Sequence, residues 1–430
     1  MSRATCPPPK SSWSPKAVPW TNEPMNATQP SAAARLLTAG AVRAHCGEVA
    51  REVMAGRSPH FAWHEDRLPA VAAYVVDVIR ERYPDLRVPV HSRWRHFEAA
   101  GVDRWGALVA RHDLAGPGHA EERARAAIDL VIPSVLLDAG AGAAWKFREG
   151  DRTLSRSEGL AVASLDLFAS GKLSSDARAP LRSDAPALEA LRAEDIARAF
   201  QVTPQNPLVG LQGRAALLSR LGQLMSVQPG YFGKPARLGH LLDYWKERAS
   251  GGRIAAEDIL ATLLQALGPM WPARTVLDGV ALGDCWPHPA AAGGFVPFHK
   301  LTQWLAYSLL EPLAEGGLEV TGLDALTGLP EYRNGGLLLD LGLVQAKDPA
   351  FHERPLQVGE PAVVEWRALT VVGLDRLAPL VRDALGLEAA AFPLARMLEG
   401  GTWAAGRKIA AERRAGGTPP VNVASDGTVF

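Results

Sequence analysis

The stretch PAVVEWRALTVVGLDRLAPLVRDALGL, Pro361 to Leu387, sets the fold class. Its apolar residues Val363, Trp366, Leu369, Val372, Leu377, Leu380 and Val381 return every three or four positions, the period of one helical face. The same style recurs upstream. Ala32 to Val53 is rich in Ala, Leu, Arg and Val at mixed three- and four-residue spacing. Leu68 to Arg82 places Val71, Tyr74, Val75, Val78 and Ile79 on one face and stops before Pro84. Further helices are expected over Glu121–Asp138, broken or kinked at Pro133, and over Ser157–Phe168, Ala185–Phe200, Leu208–Met225 and Ala255–Leu267. Strand patterns are few and short, such as Leu86–Val90 and Val421–Val423. Strand and helix do not alternate far enough for a doubly wound sheet, and no fixed-period repeat is present. The expected class is mainly α with small β additions.

The chain has 430 residues, of which 47% are apolar, so a large core is within reach. Lysines and arginines number 46, as do aspartates and glutamates. That balance argues against broad nucleic-acid binding, which needs a basic face. Residues 1–30 are rich in Pro, Ser, Thr and Asn and read as a flexible arm. Residues 31–430 read as one large, mostly helical catalytic domain, with a seam allowed near 174–187. No secretory h-region and no run of 18 apolar residues occur, so no membrane span is expected and the cytoplasm is the default compartment. The three cysteines, Cys6, Cys46 and Cys285, are far apart and form no CxxC pair. A disulfide framework and a structural zinc site are therefore not expected.

Residues 295–340 concentrate the chemistry. Phe295-Val-Pro-Phe-His-Lys300 precedes an aromatic-rich helical run. About thirty residues on stands Leu329-Pro-Glu331-Tyr-Arg-Asn-Gly-Gly336. Lys300 falls at a helix start, where the helix dipole disfavours a cation; a bound anion would resolve that conflict. Glu331 is the candidate carboxylate. The alternative reading is a solvated lysine and a surface Glu331–Arg333 pair. Asp138-Ala-Gly-Ala-Gly-Ala-Ala-Trp145 imitates a dinucleotide loop, but Trp145 stands at the third glycine and Pro133 interrupts the would-be strand. A helix end with a glycine turn fits better, with Asp138 free to face a pocket. His91-Ser-Arg-Trp-Arg-His96 suits an anion or a planar ligand, or else an exposed basic turn. Ser157 is placed to cap a helix. Glu365 and Arg367, two apart, share no helical face. Asp426-Gly427 before a terminal Phe430 suggests a docked hairpin that closes the pocket.

Several motifs together resemble the uracil-catabolism family of fungi and bacteria. They are Ser92-Arg-Trp-Arg-His-Phe97, Ser157-Glu-Gly-Leu-Ala-Val-Ala163, Asn206-Pro-Leu-Val-Gly-Leu211, Pro297-Phe-His-Lys300, Leu329–Gly336, Glu399-Gly-Gly-Thr-Trp-Ala-Ala-Gly406 and Ser425–Phe430. The likeness runs from about residue 35 to the end. A remoter pattern is similar to the queuosine salvage N-glycosidases, helical proteins shaped like helix-hairpin-helix DNA glycosylases. It comprises Phe298-x-Lys300-x-x-Gln303, Leu326-Thr-Gly-Leu-Pro-Glu-Tyr-Arg333, Leu339-Asp-Leu-Gly342, and Glu365-x-Arg367 with Thr370. That resemblance implies cleavage of an N-glycosidic bond in a 5′-phosphorylated ribosyl compound. Glu331 takes the place of the catalytic aspartate, one methylene longer and followed by Gly335-Gly336, which alters the loop. Lys300 takes the place of the motif lysine.

Taken together, the resemblances imply an N-glycosidase that releases urea from ribosylurea 5′-phosphate. Glu331 would be catalytic. Lys300 would hold the phosphate, Arg367 would belong to the substrate site, and Asp138, Tyr332, Arg333, Asn334 and Asp426 would face the leaving group. No metal or other cofactor is expected. The partner is a small phosphorylated ribosyl substrate, together with the ring-opening enzyme of the same pathway. A nucleotide-binding scaffold and an amidohydrolase of the opened pyrimidine are the alternative functions.

Overall fold

The 361–387 pattern becomes the 25-residue helix Pro361–Leu385, ended by Gly386 in the left-handed conformation (φ 68°). The computed structural model describes residues 30–271 and 274–424. Nearly all of the expected N-terminal arm, and the Asp426–Phe430 tail, lie outside the described residues. Val363, Trp366, Leu369, Leu377 and Val381 are buried as the periodicity predicts. Leu380 is 36% exposed. It neighbours Val381, and successive residues are about 100° apart on a helix, so both cannot centre one stripe. The helix packs on Ala39–Met54, Leu68–Arg82 and Tyr332–Asp340, so three segments far apart in sequence share one rod.

The other helices match the apolar spacing closely. Leu68–Arg82, Arg156–Ala169, Leu211–Ser226 and Ala256–Leu267 lie where expected, to within three residues at either end. Three expectations are corrected. The 32–53 pattern forms two helices, Ala32–Leu36 and Ala39–Met54, because Thr38 Oγ1 accepts from Ala41 N at 3.2 Å and caps a new start. The helix Ala120–Leu136 runs through Pro133 rather than breaking there. A proline removes the bond to the carbonyl four residues earlier, that of Asp129. Ser183 Oγ donates to that carbonyl at 2.7 Å and takes the missing place. The expected helix 185–200 splits into Ala185–Ala190 and Ala193–Ala199. Leu191 and Arg192 are extended, and Asp195 Oδ2 accepts from Arg192 N at 3.2 Å to start the second piece.

Strands among the described residues are two or three residues long and form six two-stranded sheets. Asn422–Val423 pairs in parallel with Pro355–Leu356, as the 421–423 pattern suggested. Leu86–Val90 is not a strand. Pro89 has no N–H to give a ladder, and Val88 N donates inside its own turn to Leu86 O. The principal core takes residues from Ala39 to Val421 and draws on both sides of the 174–187 stretch. No helix of the described residues is long and apolar enough to cross a membrane.

Close backbone approaches fix the site. Gly335 and Gly336 lie within the helix Tyr332–Asp340, not in a loop. A Cβ on Gly335 would stand 2.7 Å from the Trp366 indole, whose Nε1 donates to Gly335 O at 3.1 Å. Gly406, in Trp403–Arg413, lies against the backbone of Arg333 so closely that an added Cβ would collide with the Arg333 carbonyl. Gly406→Ala should therefore destabilise the fold by about 1–3 kcal/mol, read as a lower urea midpoint at unchanged m value.

The long helix also carries a buried acid. Glu365 is 3% exposed, accepts from Ser58 Oγ and lies 3.7 Å from His288 Nε2. Burial pushes its pKa up to about 7, against the opposing pull of Ser58 and Lys347. Between the ordinary carboxylate value and about 7, the folded chain then binds more protons than the unfolded one. Stability must fall as pH rises through that window, by on the order of 2–3 kcal/mol. Glu365→Gln should flatten the decline between pH 5 and pH 8, measured as urea midpoints.

Candidate functional site

Lys300 opens the helix Lys300–Ser308, after His299 in the left-handed conformation (φ 47°). The cation at this positive helix end is offset by Asp284, whose Oδ2 accepts from Lys300 N at 3.0 Å. Asp284 also accepts from Trp286 Nε1 at 2.8 Å and from both terminal nitrogens of Arg367, at 2.8 Å each. Burial works to raise the Asp284 pKa, but Arg367 outweighs it and holds the carboxyl well below the usual range. Arg367 in turn lies 4.0 Å from the Phe298 ring centroid and donates from Nε to Pro330 O at 3.3 Å. One guanidinium thus ties the start of the lysine helix to the residue before Glu331. Glu365, two positions away, engages Ser58 and His288 instead, as the absence of a shared face requires.

Glu331 is the N-cap of Tyr332–Asp340 and is 9% exposed. Its Oε1 accepts from Asn334 N at 2.7 Å, and its Oε2 from Arg333 N at 3.0 Å. The two bonds fix the carboxylate and leave further lone pairs on each oxygen. Burial lowers the Lys300 pKa, and the carboxylates of Glu331, Asp138 and Asp284 work against that. Glu331 and Asp138 therefore share the lysine's electrostatic surroundings. The Gln303 amide locks the floor between the two segments. Its Nε2 donates to Phe298 O at 2.9 Å and to Thr327 Oγ1 at 2.8 Å, while Thr327 N donates to its Oε1 at 2.8 Å.

The surface-pair alternative for Glu331 and Arg333 does not hold, because Arg333 is 4% exposed. Its guanidinium lies 4.0 Å from the Trp403 ring centroid, and its Nε donates to the Tyr332 hydroxyl at 3.2 Å. Burial opposes the Arg333 charge, but the neighbouring Tyr332, Glu331 and Glu158 side chains outweigh it and raise the pKa. Asn334 donates from Nδ2 to Leu329 O at 3.0 Å. Asp138 lies two residues past the end of the helix Ala120–Leu136. It accepts from Arg93 Nη1 at 2.5 Å and from Ser157 Oγ at 3.2 Å. Ser157 is thus not the helix cap; Ser155 precedes the helix, without a side-chain cap bond. Asp426 lies outside the described residues.

The 91–96 segment is no exposed basic turn: His91, Arg93 and His96 are 4%, 0% and 5% exposed. His91 Nδ1 meets Glu399 Oε2 at 2.7 Å. Its ring centroid is 6.2 Å from Trp304 and 5.7 Å from Trp403. His96 is 5.8 Å from each of the same two indoles. Burial, followed by the Arg93, His91, Arg333 and Arg407 side chains, drives the His96 pKa well below its ordinary value, so the ring is neutral. Glu399 belongs to a π-helical turn, Leu398–Thr402, that leads into Trp403; such turns recur at functional sites. Asp284, Trp304, Glu399 and Trp403 were not among the expected site residues. Glu399 and Trp403 stand in a motif that carries the family resemblance, whereas Asp284 lies in an unremarkable Gly-Asp-Cys context.

Residues 35–430 match the family described as "Protein of unknown function (DUF1688)". The chain is 40% identical over 410 residues to Protein urg3 of Schizosaccharomyces pombe, covering 92% of this chain and 98% of that one. It is 38% identical over 413 residues to Uracil catabolism protein 4 of Lachancea kluyveri, covering 87% of this chain and 93% of that one. With a match that spans nearly the whole chain and includes every motif around Lys300, Glu331 and Trp403, the protein belongs to the DUF1688 family.

Proposed function

We propose that this chain works in uracil catabolism as an N-glycosyl hydrolase, converting ribosylurea 5′-phosphate and water to ribose 5-phosphate and urea. The pathway assignment is supported by the name of the Lachancea kluyveri relative, a uracil catabolism protein. The reaction is supported chiefly by one observation: a largely buried carboxylate, Glu331, held by two backbone N–H groups in the same electrostatic neighbourhood as Lys300.

In the step proposed, the C1′–N bond breaks as positive charge develops on the ribosyl ring. Glu331, already oriented, stabilises that charge and accepts a proton from the incoming water. The oxygen of that water bonds to C1′, and the proton taken up by Glu331 passes through solvent to the leaving ureide nitrogen, which completes urea and restores the carboxylate. Asp138, Tyr332, Arg333 and Asn334 are the groups proposed to face the leaving end. Lys300 binds the 5′-phosphate, which supplies binding energy remote from the breaking bond. The phosphate would also restore the full lysine charge that burial disfavours. Arg367 acts through Asp284 and Pro330 as a positioning residue.

Incubation with ribosylurea 5′-phosphate should release urea and ribose 5-phosphate in equal amounts. Glu331→Gln, which keeps a capping oxygen, should lower kcat by about 10²–10³-fold with little change in melting temperature. Full activity in that variant would remove Glu331 from the mechanism. An inactive wild type on this substrate, or release of ammonia with the sugar bond intact, would overturn the reaction.

A further inference from the structure

Some buried hydrogen-bonding atoms near the site have no partner within the protein. Neither terminal nitrogen of Arg333 has a hydrogen-bond acceptor. Trp304 Nε1, on a side chain in a residue 5% exposed, also donates to nothing. Asn334 is 1% exposed, and its Oδ1 accepts no bond although its Nδ2 is engaged. The Thr402 hydroxyl is likewise without a partner. Folded proteins leave few such atoms, because each costs about 1–3 kcal/mol. Here a chain of contacts and sequence neighbours links them. Arg333 lies on Trp403, Thr402 precedes Trp403, Asn334 follows Arg333, and His91 and His96 bridge Trp403 to Trp304.

The mix of atoms restricts the ligand. A phosphate offers acceptors only, which would suit Arg333 and Trp304 but leave Asn334 Oδ1 facing another acceptor. A planar amide carries a carbonyl oxygen and N–H donors together. Aromatic faces flank the cluster, and the neutral His96 adds no second full charge beside Arg333. We infer that the Arg333–Trp304–Asn334 cluster seats a ureido group. Its carbonyl accepts from Arg333 and Trp304, its N–H groups donate to Asn334 Oδ1, and its plane lies against the indoles. The inference rests on the N-glycosidase reading and assigns the half of the substrate that departs; the phosphate stays with Lys300.

The test is calorimetric titration of the full chain with N-ethylurea and, separately, with ribose 5-phosphate. Wild type should bind both saturably. Trp304→Phe and Arg333→Lys should each weaken N-ethylurea at least tenfold and change ribose 5-phosphate affinity less than twofold. Should Arg333→Lys fail to fold, Trp304→Phe decides alone. No saturable N-ethylurea binding by wild type, or a loss confined to ribose 5-phosphate, overturns the assignment. Specific ureido binding in a protein that does not turn over ribosylurea 5′-phosphate upholds it and counts against the hydrolase reading alone.

Discussion

The Arg367–Asp284 pair is the constraint on which the site depends. Both groups are almost fully shielded, so each charge would be costly alone. Together they form a forked ion pair whose remaining capacity is spent on the two segments that matter: Asp284 on Lys300 N and Trp286, Arg367 on the Pro330 carbonyl. The spacing between the lysine and the carboxylate is thereby set by a rigid planar bridge rather than by the intervening chain, which wanders through Glu319–Thr321 before returning. Gln303 and Thr327 repeat the arrangement one layer below with neutral groups.

Around that bridge, most charged side chains have a direct hydrogen-bonding partner. Arg93 is answered by Asp138, Arg407 by Glu158, and His91 by Glu399. Arg333, buried beside a histidine held neutral, keeps both terminal nitrogens without an acceptor. A site that is nearly balanced overall but carries one buried fork of donors discriminates by geometry more than by net charge.

Much of the fold was legible from periodicity, because helices such as Leu68–Arg82 bury a face without help from special contacts. The departures were tertiary. Pro133 could remain in a helix only because Ser183, fifty residues on, accepts the role of the absent N–H. Leu86–Val90 had strand-like residues but no neighbour to pair with. At the site, Glu331 and Lys300 stood out as unusual residue types in their settings. Asp284 did not, since its importance comes from Arg367, 83 positions away. The burial of His91–His96 was equally hidden: a run with two arginines and two histidines looks solvated until its partners Asp138, Glu399 and Ser308 are placed.

The π-helical turn at Leu398–Thr402 has a consequence for how this region can vary. A π turn holds an extra residue within an otherwise α-helical path, which rotates everything after it by about 100° relative to an uninterrupted helix. That rotation is what brings Trp403 and Gly406 round to Arg333 while Glu399 still reaches His91. Losing one residue here would give a more regular helix and turn Trp403 away from Arg333. The segment is therefore constrained in its count of residues as much as in their identity: a one-residue deletion would have to be matched by an insertion elsewhere before Trp403.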